Sequence, residues 1–277
     1  MKAAVLGSPI AHSLSPVLHR AAYRALGLTG WTYQAIECDE TGLPGRLAGC
    51  GPDWAGLSLT MPLKRAVLPL LDRIEPLAAE VGAANTVVFA GGRRHGHNTD
   101  VPGAIAALAE QGATATFLTP GASVLILGAG ATACSALAAA RGLGIGEVSV
   151  AARDPARAGD LLAAADRLGV KVTLSPFAGP PDHALDLLIS TVPAGAADSY
   201  AWRIARRALL PRCLLDVVYH PWPTPLAIAA RQAGAAVAGG FDLLLHQAAG
   251  QVELMTGSAA PLETMRAAGL AALEAGR

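Results

Sequence analysis

Four consecutive apolar residues, Val124-Leu125-Ile126-Leu127, run directly into Gly128-Ala129-Gly130-Ala131-Thr132-Ala133 and then into an alanine-rich stretch ending near Ala140. This order of strand, glycine turn and helix constrains the fold more than any other feature of the chain. It is the GxGxxA form of a dinucleotide-binding turn, which belongs to a doubly wound α/β sheet. Gly128 allows the tight turn, Gly130 lets the backbone approach a pyrophosphate, and the small Ala133 permits close packing of helix on strand. Ala131 opens a helix whose positive N-terminus would face the phosphates. The stretch 111–140 also lacks any charged residue and is long enough to span a bilayer. Pro120 and the glycines interrupt it, however, and its pattern changes midway, so it reads as strand, turn and helix.

The next strand decides the cofactor. NAD sites usually close this strand with an acid that bonds the ribose hydroxyls. Here 147–152 ends in Ala151-Ala152-Arg153, with Arg157 one helical turn further on. A guanidinium at that place suits a 2′-phosphate, so the pattern favours NADP. Asp154 lies between the two arginines and sets an anion beside the expected phosphate.

Around this unit, short β-type runs alternate with alanine-rich runs over 277 residues, the pattern of an α/β protein with largely parallel sheets. Strands are expected at 2–6, 31–38, 55–59 and 86–90, and helices at 16–26, 64–71 and 102–111. After a turn over 111–121 come strands at 123–127, 147–152, 171–174, 185–190 and 213–218, with helices at 131–141 and 155–168. From Phe241 onward the chain reads as helical. The expected architecture is an N-terminal α/β domain over 1–102, a Rossmann-type doubly wound nucleotide domain over 103–239, and C-terminal helices over 240–277.

Composition removes other classes. Lys+Arg and Asp+Glu both number 21, so there is no basic excess and nucleic acid is not an expected partner. A hydrophobic share of 52% rules out disorder. The apolar run after Met1 stops at Gly7-Ser8-Pro9, too short for a signal-peptide core, so a cytoplasmic protein without membrane contact is expected. Cys38, Cys50, Cys134 and Cys213 are scattered without a CxxC pair, which suits reduced thiols, and no motif of metal-ligand spacing occurs.

Small polar residues gather where the first strands end. Ser13 and Ser15 flank Leu14 ahead of Pro16, and Ser15 before a helix-starting proline reads as an N-cap. The run Gly56-Leu57-Ser58-Leu59-Thr60-Met61-Pro62-Leu63-Lys64 carries Thr60 and Lys64 off a strand and past a proline turn. The chain has three lysines against eighteen arginines, which marks a lysine at a strand exit. Lysine can titrate when partly buried, whereas arginine effectively cannot. Gly82-Ala83-Ala84-Asn85-Thr86 and Gly96-His97-Asn98-Thr99-Asp100 add an amide and a carboxylate at turns. With the nucleotide turn, these groups suit NADP-linked reduction of a small polar carbonyl.

Taken together, the segments resemble the shikimate dehydrogenase family. The resemblance runs through Gly7-Ser8-Pro9-Ile10-Ala11-His12-Ser13-Leu14-Ser15-Pro16 and the segments ending at Lys64, Asn85-Thr86-Val87 and Asn98-Thr99-Asp100. It continues in Asp216-Val217-Val218-Tyr219-His220-Pro221 with Thr224-Pro225-Leu226, and in Gly240-Phe241-Asp242-Leu243-Leu244-Leu245-His246-Gln247-Ala248. Nearly the whole chain is covered. The departures are modest: Leu59, Met61 and Leu63 stand where the family often has other apolar or aromatic residues, and Arg20 replaces a frequent Asn.

This resemblance implies a substrate domain made of the first hundred residues and the C-terminal helices, with the nucleotide domain between them. Lys64 and Asp100 are implied as the catalytic pair. Ser13, Ser15 and Tyr219 would hold the substrate carboxylate, Thr60, Asn85 and Gln247 would bond the ring hydroxyls, and Val217 and Gly240 would join the cofactor site. The implied activity is reversible reduction of 3-dehydroshikimate to shikimate with NADPH, in aromatic amino acid biosynthesis, by a monomer or homodimer. An NAD-dependent quinate/shikimate dehydrogenase would end its nucleotide strand in an acid rather than Arg153. A catalytically silent NADP sensor would lack Lys64 or Asp100.

Overall fold

The computed structural model describes residues 1–114, 118–119, 121–178 and 184–275, so Pro120 and part of the turn expected at 111–121 lie outside the described residues. The chain divides into two units, Met1–Thr99 with Leu244–Arg277, and Asp100–Leu243.

The first unit opens with β1 (Lys2–Gly7), α1 (Ser15–Ala25), β2 (Thr32–Glu37), α2 (Leu43–Ala48), β3 (Trp54–Leu59) and α3 (Leu63–Ala66). It continues with β4 (Arg73–Ile74), α4 (Pro76–Val81), β5 (Thr86–Ala90) and β6 (Arg93–His97). Its sheet has the order β2-β1-β3-β5-β6-β4. Strands β2, β1 and β3 are parallel, but β5 runs antiparallel to both β3 and β6. The sheet is therefore mixed rather than largely parallel. The cause is local: Ala90 pairs with Arg93 across Gly91-Gly92, whose φ values of 58° and 73° make a two-residue turn matched to the strand twist. Leu6, Leu43, Leu57, Leu63 and Val87 build a core on this sheet.

The second unit contains α5 (Asp100–Glu110), β7 (Val124–Leu127), α6 (Ala131–Gly142), β8 (Glu147–Ala152), α7 (Gly159–Leu168), β9 (Lys171–Pro176) and β10 (Ala184–Ser190). Then follow α8 (Asp198–Ala205), β11 (Leu210–Asp216), α9 (Pro225–Gln232) and β12 (Ala236–Gly239). The sheet order β12-β11-β10-β7-β8-β9 is parallel throughout and reverses direction between β7 and β10. That is the doubly wound order, with its switch point where ligands bind outside the carboxyl ends of the strands. Within the charge-free stretch, 124–127 form β7 and 131–140 belong to α6, and no described helix is long and apolar enough to cross a membrane. The final helices are α10 (Gly240–Thr256) and α11 (Leu262–Ala275), and α11 packs on α1 within the first unit.

Two expected helices are shorter than their apolar spacing suggests. The run 64–71 breaks into α3 and a 3₁₀ turn, Leu68–Leu70, because Pro69 has no N–H to continue the ladder. The run 155–168 begins as a 3₁₀ turn, Pro155–Arg157, before α7 starts at Gly159. Arg157 therefore does not lie a helical turn along the face expected for it.

Candidate active site

In the first unit the polar residues cluster at the carboxyl ends of β1 and β3. Gly7 ends β1 so close to the next crossover that a Cβ there would overlap the Thr60 methyl and stand 2.9 Å from the Met61 carbonyl. The Thr60 amide donates to the Leu6 carbonyl at 2.9 Å, and the Thr60 carbonyl accepts from Leu63 N, which turns the chain into α3. Lys64 then sits half-buried in the first turn of α3, its carbonyl accepting from Ala84 N at 2.8 Å. The other two lysines make exposed ion pairs, Lys2 with Asp53 and Lys171 with Glu147. Glu37, which the sequence did not single out, accepts from the Ser8 hydroxyl at 2.6 Å and from Ile10 N at 3.0 Å. It ties down the segment leading to Ser13.

Ser15 is not a helix cap. Leu14 occupies the cap position and Ser15 is the first residue of α1, so its buried hydroxyl is left for other partners. Ser15 N donates to the Ser13 hydroxyl at 3.3 Å. Arg20 donates to the Tyr33 carbonyl at 2.9 Å.

Asn85 enters the site because α4 ends at a left-handed Gly82, which redirects the chain toward β5. Its Oδ1 accepts from Thr99 N at 2.8 Å and from the Thr86 hydroxyl at 2.9 Å. Its Nδ2 donates to Thr99 Oγ1 at 2.9 Å and to Gln247 Oε1 at 3.0 Å. The structure thus brings Asn85 and Gln247 into direct contact across 162 residues of chain. Behind them lie Ser58 and Gln251, buried polar residues given no role from sequence, with His19 stacked on Tyr33 at 3.9 Å.

In the second unit, Gly128 takes φ +105° and lies at the switch point, where a Cβ would stand 2.5 Å from Thr191 Oγ1. Only glycine suits both the backbone and the space. Gly130 caps α6 with no side-chain hydrogen bond, and a Cβ on it would meet nothing within 4 Å. Ala131 is half-buried at the helix start and Ala133 is fully buried against the sheet. A cradle without side chains at a helix N-terminus fits a pyrophosphate.

Arg153 follows β8 and is exposed, as is Arg157. Asp154 bends back so that its Oδ1 accepts from Ala156 N at 3.1 Å, capping the 3₁₀ turn. Val217 and Gly240 come together: Gly240 rests on the Val217-Val218 backbone, where a Cβ would overlap the Val217 carbonyl. The loop after β11 is closed by Asp216, whose Oδ2 accepts from the Thr224 hydroxyl at 2.6 Å; burial pushes this carboxyl above its usual range. Tyr219 lies half-buried within that loop, and burial raises its phenol. Asp100 is buried at the start of α5. Tyr219 and Asp100 belong to the second unit, whereas Lys64, Thr60, Ser13, Ser15, Asn85 and Gln247 belong to the first. Cys38, Cys50, Cys134 and Cys213 are free thiols.

Comparison with known proteins agrees with this fold. Residues 5–87 match the shikimate dehydrogenase substrate binding domain, and residues 240–268 match the shikimate 5′-dehydrogenase C-terminal domain. A relative from Citrifermentans bemidjiense named shikimate dehydrogenase (NADP(+)) is 38% identical over 94% of this chain and 91% of its own length. The shikimate dehydrogenase structure from Mycobacterium tuberculosis superposes with a TM-score of 0.86 at 43% identity, covering 98% of this chain and 99% of that one. The Thermus thermophilus shikimate 5-dehydrogenase, solved in complex with NADP(H) and shikimate, superposes with a TM-score of 0.82 at 33% identity, covering 98% of this chain and 99% of its own. The chain belongs to the shikimate dehydrogenase family.

Proposed function

We propose that the protein is an NADP-dependent shikimate dehydrogenase of the cytoplasm that interconverts 3-dehydroshikimate and shikimate. The observation that carries this reading is full-length similarity to enzymes of that name, in a chain that keeps both Lys64 and Asp100. Gly128, Gly130 and the amide end of α6 would hold the pyrophosphate, with Ala131 and Ala133 shaping the turn. Arg153 and Arg157 would meet the 2′-phosphate, and Val217 and Gly240 would complete the cofactor site. With Asp154 engaged at Ala156 N, its carboxylate is committed to the backbone, which supports the arginines in that role.

NADPH supplies the hydride when bound. As the ketone carbon is reduced, negative charge develops on its oxygen, and the Lys64 ammonium bonds that oxygen and donates a proton to it. In the oxidative direction the Lys64 amine takes the proton back while the Asp100 carboxylate accepts a hydrogen bond from the substrate hydroxyl. Ser13, Ser15 and Tyr219 would orient the carboxylate, and Thr60, Asn85 and Gln247 the ring hydroxyls. A substrate lacking one of these groups would leave a buried polar partner unmatched, so the site discriminates by hydrogen bonding.

Initial rates with shikimate and with quinate, each with NADP⁺ and NAD⁺, test the reading. Fast turnover of shikimate with NADP⁺ alone is expected. Comparable use of NAD⁺ would instead identify a quinate/shikimate dehydrogenase.

A further inference from the structure

Gln251 lies one helical turn beyond Gln247 on α10, and only 1% of it is exposed. Its Oε1 accepts from the Ser58 hydroxyl at 2.8 Å and lies 3.3 Å from His19 Nε2. Its Nε2 donates to the Asn85 carbonyl at 3.2 Å and to Thr86 Oγ1 at 3.1 Å. The amide orientation is unambiguous, because the Asn85 carbonyl can only accept.

The neighbouring bonds agree with that orientation in sense. Tyr33 donates to Ser58 at 2.7 Å, and Ser58 donates to Gln251. Thr86 receives a hydrogen bond from Gln251 and gives its own proton to Asn85 Oδ1, the oxygen that also accepts from Thr99 N, so Asn85 Nδ2 is directed at Gln247. His19 must carry its proton on Nε2 to face the same Oε1, and Nδ1 then accepts from Tyr23 at 3.4 Å. One buried chain of hydrogen bonds therefore links Tyr33, through Ser58, Gln251 and Thr86, to the Asn85–Gln247 pair.

We infer that Gln251 is a positioning residue for the substrate site: it lies behind Asn85 and Gln247, and its amide bonds the Asn85 carbonyl and the Thr86 hydroxyl, so it holds the segment that carries Asn85 in place against Gln247 on the same helix. Either terminal amide, if flipped, would oppose donor to donor or acceptor to acceptor along the chain, and in a buried site neither error is relieved by water. The inference rests on the reading of Asn85 and Gln247 as groups that bond the ring hydroxyls.

Steady-state oxidation of shikimate by NADP⁺ tests it in the full-length protein. Gln251→Met keeps the length and removes the amide, and Thr86→Val keeps the shape and removes the hydroxyl. Each should raise the shikimate KM about ten-fold while the KM for NADP⁺ and kcat stay within two-fold, the signature of lost uniform substrate binding. Thr86→Ser, which keeps the hydroxyl, should restore the wild-type KM. The double variant should be no worse than either single one, because both cut the same chain.

Because Thr86→Val keeps the branched shape of the side chain, it carries the test if Gln251→Met fails to fold. Wild-type shikimate KM in folded Gln251→Met or Thr86→Val, with Asn85→Ala still raising that KM, would overturn the inference and leave the substrate reading intact. Wild-type KM in Asn85→Ala would overturn the substrate reading itself, and the inference with it.

Discussion

The two units solve the problem of holding a polar ligand in opposite ways. The cradle in the second unit is made by backbone, with Gly128 and Gly130 supplying conformation and empty space and the arginines standing exposed at its rim. The site in the first unit is made by side chains, several of them buried and held by hydrogen bonds to neighbouring groups. A backbone cradle is rigid because strand and helix are rigid. A side-chain site has to be held by partners from elsewhere, here from α1, β2, β3, β5 and α10.

The largest expected effect tests whether chemistry belongs to the side-chain site. Lys64→Ala should lower kcat by roughly 10²–10⁴-fold with little change in KM, as measured in steady state. A kcat within a few-fold of wild type would remove Lys64 from the mechanism. The backbone cradle breaks next. Gly128→Ala places a side chain at φ +105° and against Thr191, a strain of about 1–3 kcal/mol. Calorimetry should show weaker NADP⁺ binding, with the shikimate KM near wild type; unchanged affinity would mean that the turn has room the geometry denies.

The exposed rim gives a smaller effect. Arg153→Ala should raise the KM for NADP⁺ about ten-fold, since one charged hydrogen-bond partner contributes roughly 1.5–3 kcal/mol less screening at an open surface. Its reaction with NAD⁺ should be almost unaffected. An equal loss with both cofactors would place Arg153 outside phosphate recognition.

The smallest effect sharpens the contrast through pH. Burial lowers His19 from 6.5 to about 3, so between those values the unfolded chain binds a proton that the native state does not. Stability therefore falls as pH drops below 6.5. From pH 6.5 to 5.5 the loss should be about 1 kcal/mol, by linkage. Urea unfolding of the wild type and of His19→Gln should differ in pH slope by that amount, and identical slopes would show that His19 does not titrate on unfolding.

This contrast also explains what could be read from the chain before its structure. The nucleotide turn is local: strand, glycines and helix lie within 124–142, and each residue type states its own purpose. The doubly wound order follows once that turn is placed. Gln251 was invisible because its partners are 165 to 232 residues away and nothing in its neighbourhood marks it. The Gly91-Gly92 hairpin was legible in principle, since a glycine pair between strand-forming runs is a turn signal, yet Arg93-Arg94-His95 does not look like a strand. Short β4, β12 and α2 carry too few residues to show a period. Ser15 misled because a serine before proline satisfies the capping rule, whereas here Leu14 takes the cap position and Ser15 begins the helix with its side chain buried.

The division of the chain has a consequence for synthesis. The unit Asp100–Leu243 is continuous, so all of its strands leave the ribosome together and its sheet can close as it emerges. The other unit is not: Met1–Thr99 must wait for Leu244–Arg277, which is made only after the whole of the second unit. Until α10 arrives, the amide that Ser58 and His19 bond in the finished protein does not yet exist. The first unit thus begins to be made before the second and acquires its final form after it, and for that interval its buried polar residues depend on water or a chaperone.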